Sequence, residues 1–146
     1  MRTNPNSLTS IGLNIGCIAR RWRARVDERL VGLGLTMSKW LPLRWLAVSG
    51  GSLPQRRLVE LTGVEGPSLV RVLDDLERQG FIERRDCEAD RRAKIIYLTK
   101  KVDPIMRQAL PQADGVQKQA LAGISPEELA TCQSVLERIL NNLEKE

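Results

Sequence analysis

Histidine is absent from this 146-residue chain. That absence excludes imidazole general bases, Ser-His and Cys-His nucleophile pairs, and His-ligated metals together. Aromatic residues are scarce, with three Trp, one Tyr and one Phe, so the core must be largely aliphatic. The cysteines Cys17, Cys87 and Cys132 are odd in number and lack Cys-x-x-Cys spacing. They argue against a disulfide framework or a thiolate metal site, and for a reducing compartment. No segment approaches the roughly 20 uninterrupted apolar residues that span a bilayer. The N-terminal apolar segment, residues 8–19, contains Asn14, and its basic cluster Arg20, Arg21, Arg23 and Arg25 follows it. A signal peptide places its positive charge first, so a cytoplasmic protein without membrane contact is expected. Paired carboxylates in an apolar pocket and a phosphate-cradling glycine loop are also missing. No enzyme, cofactor or metal is expected.

What is present is an ordinary single domain by length, residues 1–146. The apolar share of 42% and charged share of 28% are globular and argue against wholesale disorder. Charge is unevenly placed. Residues 1–101 hold 19 basic and 11 acidic groups, whereas residues 102–146 hold 4 and 7. A positive body with an acidic tail suits a binder of anionic polymers that carries a separate self-association element; solvated surfaces are the alternative.

Spacing supplies the elements. Leu8, Ile11, Ile15, Ile18, Trp22, Val26 and Leu30 form one stripe of a long helix that ends at Gly32 and Gly34. Thr36 can cap a second helix through Trp40, Leu43, Leu46 and Ala47, with Pro42 expected to kink it or shift its start. A short third helix from Pro54 to Thr62 buries Leu58, Val59 and Leu61 and closes at Gly63, where positive φ favours glycine. A fourth starts with Pro67 in its first turn, buries Leu69, Val72, Leu73 and Leu76, and stops at Gly80. Then the period changes. Residues 81–85 and 94–98 read as two strands joined by a charged connection, Asp86–Ala93. The remainder is helical, interrupted by Pro104 and Pro111, and Ser125-Pro126-Glu127-Glu128 is a capping box. Leu129, Cys132, Leu136, Ile139 and Leu143 give a last amphipathic stripe.

Short helix, glycine turn, helix and basic hairpin make a winged helix-turn-helix in a mainly α (α+β) chain. The arrangement suits duplex DNA, whose major groove, about 12 Å wide, accepts one helix. Ser68 and Arg71 should face outward together, Ser68 toward phosphate or base edge and Arg71 toward guanine. The alternative for Arg71 is an exposed pair with Asp75. Arg84, Arg85, Arg91, Arg92 and Lys94 crowd the hairpin, from which a guanidinium can enter the minor groove. Asp90, odd beside phosphate, is expected to hold Arg92 or a backbone amide of the turn. A solvated charged loop is the alternative.

Gly63-Val64-Glu65, Pro67-Ser68-Leu69-Val70-Arg71, Leu73-Asp74, Leu76-Glu77, Gly80 and Asp90-Arg91-Arg92-Ala93-Lys94 through Leu98-Thr99 closely resemble the MarR family of bacterial transcription regulators, and its SlyA branch most. The resemblance extends over about residues 8–146 and is densest from Leu58 to Thr99. It implies a cytoplasmic, nucleoid-associated homodimer whose winged lobes, residues 36–99, read pseudo-palindromic double-stranded DNA. Segments 4–34 and 102–146 would supply the dimerisation helices. Groove-reading positions fall on Pro67, Ser68 and Arg71, and wing contacts on Arg84, Asp90 and Arg92, with Arg92 in the minor groove. Relatives bind small aromatic carboxylates between dimer and lobe. The matching positions are Arg20, Ser38, Trp40 and Arg44, with Trp40 as ordinary core and Arg20 as solvated helix face the competing reading. Some members sense peroxide through a first-helix thiol, but Cys17 fits a buried small hydrophobe better. Cys87, beside Arg84 and Arg85, is a second redox candidate. An architectural protein that coats A·T-rich DNA by shape and charge is the competing function.

Overall fold

The computed structural model describes residues 8–145, and it falls into two units, residues 1–116 and 117–146. Residues 4–7 of the expected N-terminal dimerisation segment lie outside the described residues. The first unit contains α1 (Leu8–Leu30), α2 (Met37–Val48), β1 (Ser52–Pro54), α3 (Gln55–Thr62), α4 (Gly66–Arg78), β2 (Ile82–Asp86), β3 (Lys94–Leu98) and most of α5 (Asp103–Ala120). The second contains the end of α5 and α6 (Pro126–Leu143). Mostly helical with one small sheet, this is the winged-helix architecture expected of the sequence.

Helix α2 begins where its cap demands. The Thr36 side chain accepts from the Lys39 amide, and Asp27 of α1 accepts from the Met37 amide. Pro42 neither ends α2 nor moves its start. It forgoes one backbone bond inside the helix, but its ring is buried with Trp40, Leu43 and Leu46, and that packing holds the helix together. Pro111 also lies inside α5, but exposed, and Pro104 occupies the first turn; neither ends the element, so α5 is a single helix.

Helix α4 stops by a backbone exchange at Gly80. The Gly80 amide donates to the Glu77 carbonyl at 2.9 Å, and the Phe81 amide donates to the Leu76 carbonyl at 3.0 Å. This double closure requires a left-handed residue, and Gly80 has φ +75°. Phe81, expected to open a strand, instead seals the helix end and is buried. Thr99 then donates its hydroxyl to the Gly80 carbonyl at 2.5 Å.

The sheet has a third strand that the sequence reading lacks. Its order is β1-β3-β2, all antiparallel, with Leu53 opposite Ile96 and Arg84 opposite Ile96 from the other side. Central β3 therefore ties the hairpin to the segment before α3. The core lies in this unit: Leu58 of α3, Leu69, Leu73 and Leu76 of α4, Leu43 and Leu46 of α2, and Ile82 and Ile96 of the sheet are almost fully buried. Leu61, expected inside, is half-buried.

The α1 stripe divides along its length. Val26 and Leu30 join the core, while Ile11, Ile15 and Ile18 are exposed. In the second unit the capping box forms as written. The Glu128 amide donates to Ser125 Oγ at 3.2 Å, and Glu128 Oε2 accepts from the Ser125 amide at 2.8 Å. On α6, Leu129 and Ile139 are half-buried, whereas Val135, Leu136, Leu140 and Leu143 are exposed. Among the described residues no helix is long and apolar enough to cross a membrane.

Candidate nucleic-acid interface

The α3–α4 turn is built by Thr62 and Gly63. Thr62 donates to the Leu58 carbonyl at 2.6 Å, and Gly63, at φ +63°, returns its amide to the Val59 carbonyl at 3.0 Å. With Pro67 in its first turn, α4 buries Leu69, Leu73 and Leu76 on one side. Pro67, Ser68, Val70 and Arg71 are exposed on the other. Asp75 is taken by Lys39 and by Arg78, the latter at 3.7 Å, so the Arg71–Asp75 pair does not form. Arg71 makes no ion pair among the described residues, and its guanidinium is available.

The wing loop is held by Asp90. Its Oδ1 accepts from the Arg92 amide at 3.0 Å, and its carbonyl accepts from the Ala93 amide at 2.9 Å. The carboxylate thus shapes the turn through backbone, one of the two roles expected of it. Arg91 and Arg92 are exposed at this turn, and neither side chain makes an ion pair among the described residues. Lys94 pairs with Asp86 across the hairpin.

The other two wing arginines behave differently. Arg85 lies over the Tyr97 ring, 4.5 Å from its centroid, and bonds Glu83 at 2.9 Å. Arg84 turns back onto α4. Its Nη1 donates to Asp74 at 2.7 Å and to Glu77 at 2.9 Å, its Nη2 to the Val70 carbonyl at 3.3 Å, and its amide to Glu77 at 3.2 Å. Its side chain is 19% exposed. The wing contact expected of Arg84 is thereby occupied within the chain. The same geometry bears on Cys87, which is half-buried with its amide bonded to the Ala93 carbonyl at 3.0 Å. Both guanidiniums invoked to activate its thiol are engaged elsewhere.

The four positions matched to a carboxylate site are not joined by any hydrogen bond or ion pair found among the described residues. Trp40 is 5% exposed and belongs to the core. Ser38 accepts from Arg23, at 3.3 Å, instead of Arg20. Arg20 is exposed and Arg44 half-buried. Cys17 is half-buried and Cys132 exposed.

The sequence reading missed a basic pair on α3. Arg56 and Arg57 are exposed there and share Glu60, at 3.6 and 2.8 Å. Their adjacency in Gln55-Arg56-Arg57 is the signal that points to them, since α3 has its apolar side elsewhere.

A short helix, a glycine turn, a helix with an outward polar side and a basic hairpin define a winged helix-turn-helix protein. The sequence model of the MarR family matches residues 33–93. The transcriptional regulator PA3341 is 45% identical to this chain, covers 92% of it and 98% of its own length, and superposes with a TM-score of 0.84. AbsC, a MarR family transcriptional regulator from Streptomyces coelicolor, is 22% identical over 100% of both chains, with a TM-score of 0.84. Sco3205, a MarR family regulator from the same organism whose structure was solved in complex with DNA, is 19% identical over 100% of this chain and 93% of its own, also at 0.84. At that identity the last two show the shared fold. The chain belongs to the MarR family of transcriptional regulators, which are not enzymes.

Proposed function

We propose that this protein is a sequence-specific DNA-binding regulator that acts as a homodimer on pseudo-palindromic sites, in the manner of the SlyA branch. One observation carries the reading: among the described residues, the cationic groups left without acidic partners at the outward parts of α4 and the wing are Arg71, Arg91 and Arg92. Unpaired guanidiniums on a helix sized for the major groove and on a turn sized for the minor groove favour an anionic duplex. The DNA complex of Sco3205, which shares the fold, supports the same use of it.

Two copies are favoured by apolar surface. Ile11, Ile15 and Ile18 on one face of α1, and Leu136, Leu140 and Leu143 on one face of α6, are exposed in the single chain. Contiguous apolar stripes of this kind mark interaction surfaces. Dimerisation would set two lobes on successive turns of one face of the duplex, about 10 bp apart. Release by a small aromatic carboxylate rests on the family resemblance, with Arg20 and Arg44 as the anion-seeking groups.

Selection of bound duplexes from random DNA at fixed salt tests the reading. It should return one half-site, its inverted repeat and a single spacing. Recovery of A·T-rich sequences without symmetry, with little excess over competitor DNA, would assign the protein to architectural binding instead.

A further inference from the structure

Helix α4 carries three carboxylates, Asp74, Asp75 and Glu77, an ill-suited row for a helix that approaches phosphate. Each of them is matched by a cation from a neighbouring element. Lys39 of α2 takes Asp75, and Arg84 of β2 takes both Asp74 and Glu77. Arg84 adds a bond to the Val70 carbonyl, one residue before Arg71.

We infer that Arg84 is a positioning residue: it clamps the wing to the recognition helix through the α4 carboxylates, and so fixes how far the wing tip stands from Arg71. This inference rests on the DNA-binding reading and revises one part of it, the role of Arg84 itself. Hydrogen-bonding valence favours this role. A guanidinium has five N–H donors in a rigid fork, and here the fork meets two carboxylates and a carbonyl. Its low exposure lessens the competition from water for these bonds. To reach a phosphate, Arg84 would have to abandon all of them and leave two carboxylates facing the duplex unneutralised.

The clamp also accounts for charge of the wrong sign near the interface. Asp74 and Glu77 hold the hairpin in register with α4 from positions ten and seven residues before Arg84. The outward side of α4 keeps Ser68 and Arg71 for contact. Arg91 and Arg92 at the hairpin tip are then a fixed distance away, because β2 is stapled at Arg84 and paired to β3 through Asp86.

The test compares Arg84→Ala, Arg84→Lys, E77Q and D74N with the unaltered full-length protein. If Arg84 positions the wing, Arg84→Ala should weaken binding to the selected operator about tenfold. The slope of log affinity against log salt should stay unchanged, because no phosphate contact is lost. Selection with Arg84→Ala should accept a wider range of spacings between the base read by α4 and the flanking A·T preference. A change that merely lowered the folded fraction would leave that spacing alone. E77Q and D74N should weaken binding too, and E77Q should add little to Arg84→Ala. Arg84→Lys, which keeps the charge but not the fork, should recover only part of the spacing selectivity. A salt slope shallower by about 1 for Arg84→Ala, or tighter binding by E77Q, would make Arg84 a DNA contact and overturn the inference. An assay without DNA separates the two readings. Amide exchange across residues 83–86 should quicken in Arg84→Ala while exchange in β1 does not. Unchanged exchange in β2 would overturn the clamp, whatever the protein binds; failure of the unaltered protein to select any duplex would overturn the DNA reading alone.

Discussion

The Lys39 ammonium closes on the Asp75 carboxylate, joining α2 to α4 with both side chains partly withdrawn from solvent. The hydrogen bond from Lys39 holds the Asp75 carboxyl below its ordinary value of 3.8; desolvation opposes this, and the charges of Lys39 and Arg78 add to it. A carboxylate depressed in the folded state stabilises above the unfolded pKa, and that contribution disappears as pH falls through the folded pKa. Acid titration followed by circular dichroism should therefore show Asp75→Asn and the unaltered protein converging below about pH 4. Above that range the variant should be the less stable of the two. Equal stability at pH 7 would remove the pair from the forces that orient α4.

Arg71→Ala should cost about 1–3 kcal/mol in operator affinity and relax preference at one base pair per half-site. Binding titrations against a panel of single-base variants read both effects. An unchanged preference would mean that α4 reads the groove through other residues.

For the wing, Arg92→Ala should weaken binding most where the flanking minor groove is narrow. Exchanging the flanking A·T tract for G·C should then matter less to the variant than to the unaltered protein. Asp90→Ala should reproduce part of this loss, because the Arg92 amide loses its acceptor and the turn its shape.

Gly80→Ala should destabilise the lobe by about 1–2 kcal/mol, the usual cost of left-handed backbone for an L residue. The added methyl would meet the Lys101 side chain at 3.1 Å, a flexible neighbour that can move aside, so backbone strain sets the cost. Urea unfolding should show a lower midpoint at an unchanged slope.

A charge placed in the apolar stripes should separate the copies. Ile18→Lys and Leu140→Glu each bury a charge if those stripes pack against a second chain. Sedimentation should shift toward the single chain at concentrations where the unaltered protein is paired.

The helices were readable because their signals are local. Thr36, Gly63, Pro67, Gly80 and the Ser125–Glu128 box act within a few residues, and each lies where its chemistry places it. Asp90 was legible for the same reason, since its acceptor reaches an amide two residues on. Strand β1 was not, because Ser52-Leu53-Pro54 is short and pairs with β3 about forty residues later. The wing arginines looked alike in sequence. Only the direction of β2 against α4 separates Arg84, folded onto two carboxylates, from Arg92, left at the tip. Pro42 misled because its helix-breaking tendency is a backbone property, whereas its burial belongs to the tertiary core.

The pairing of β1 with β3 has a consequence for synthesis on the ribosome. Helices α3 and α4 leave the exit tunnel before the strand that brackets them, and Leu98 must emerge before its amide can reach the Gly51 carbonyl, 2.8 Å away in the finished lobe. A chain terminated ahead of Lys94 therefore holds both helices but cannot close the loop around them.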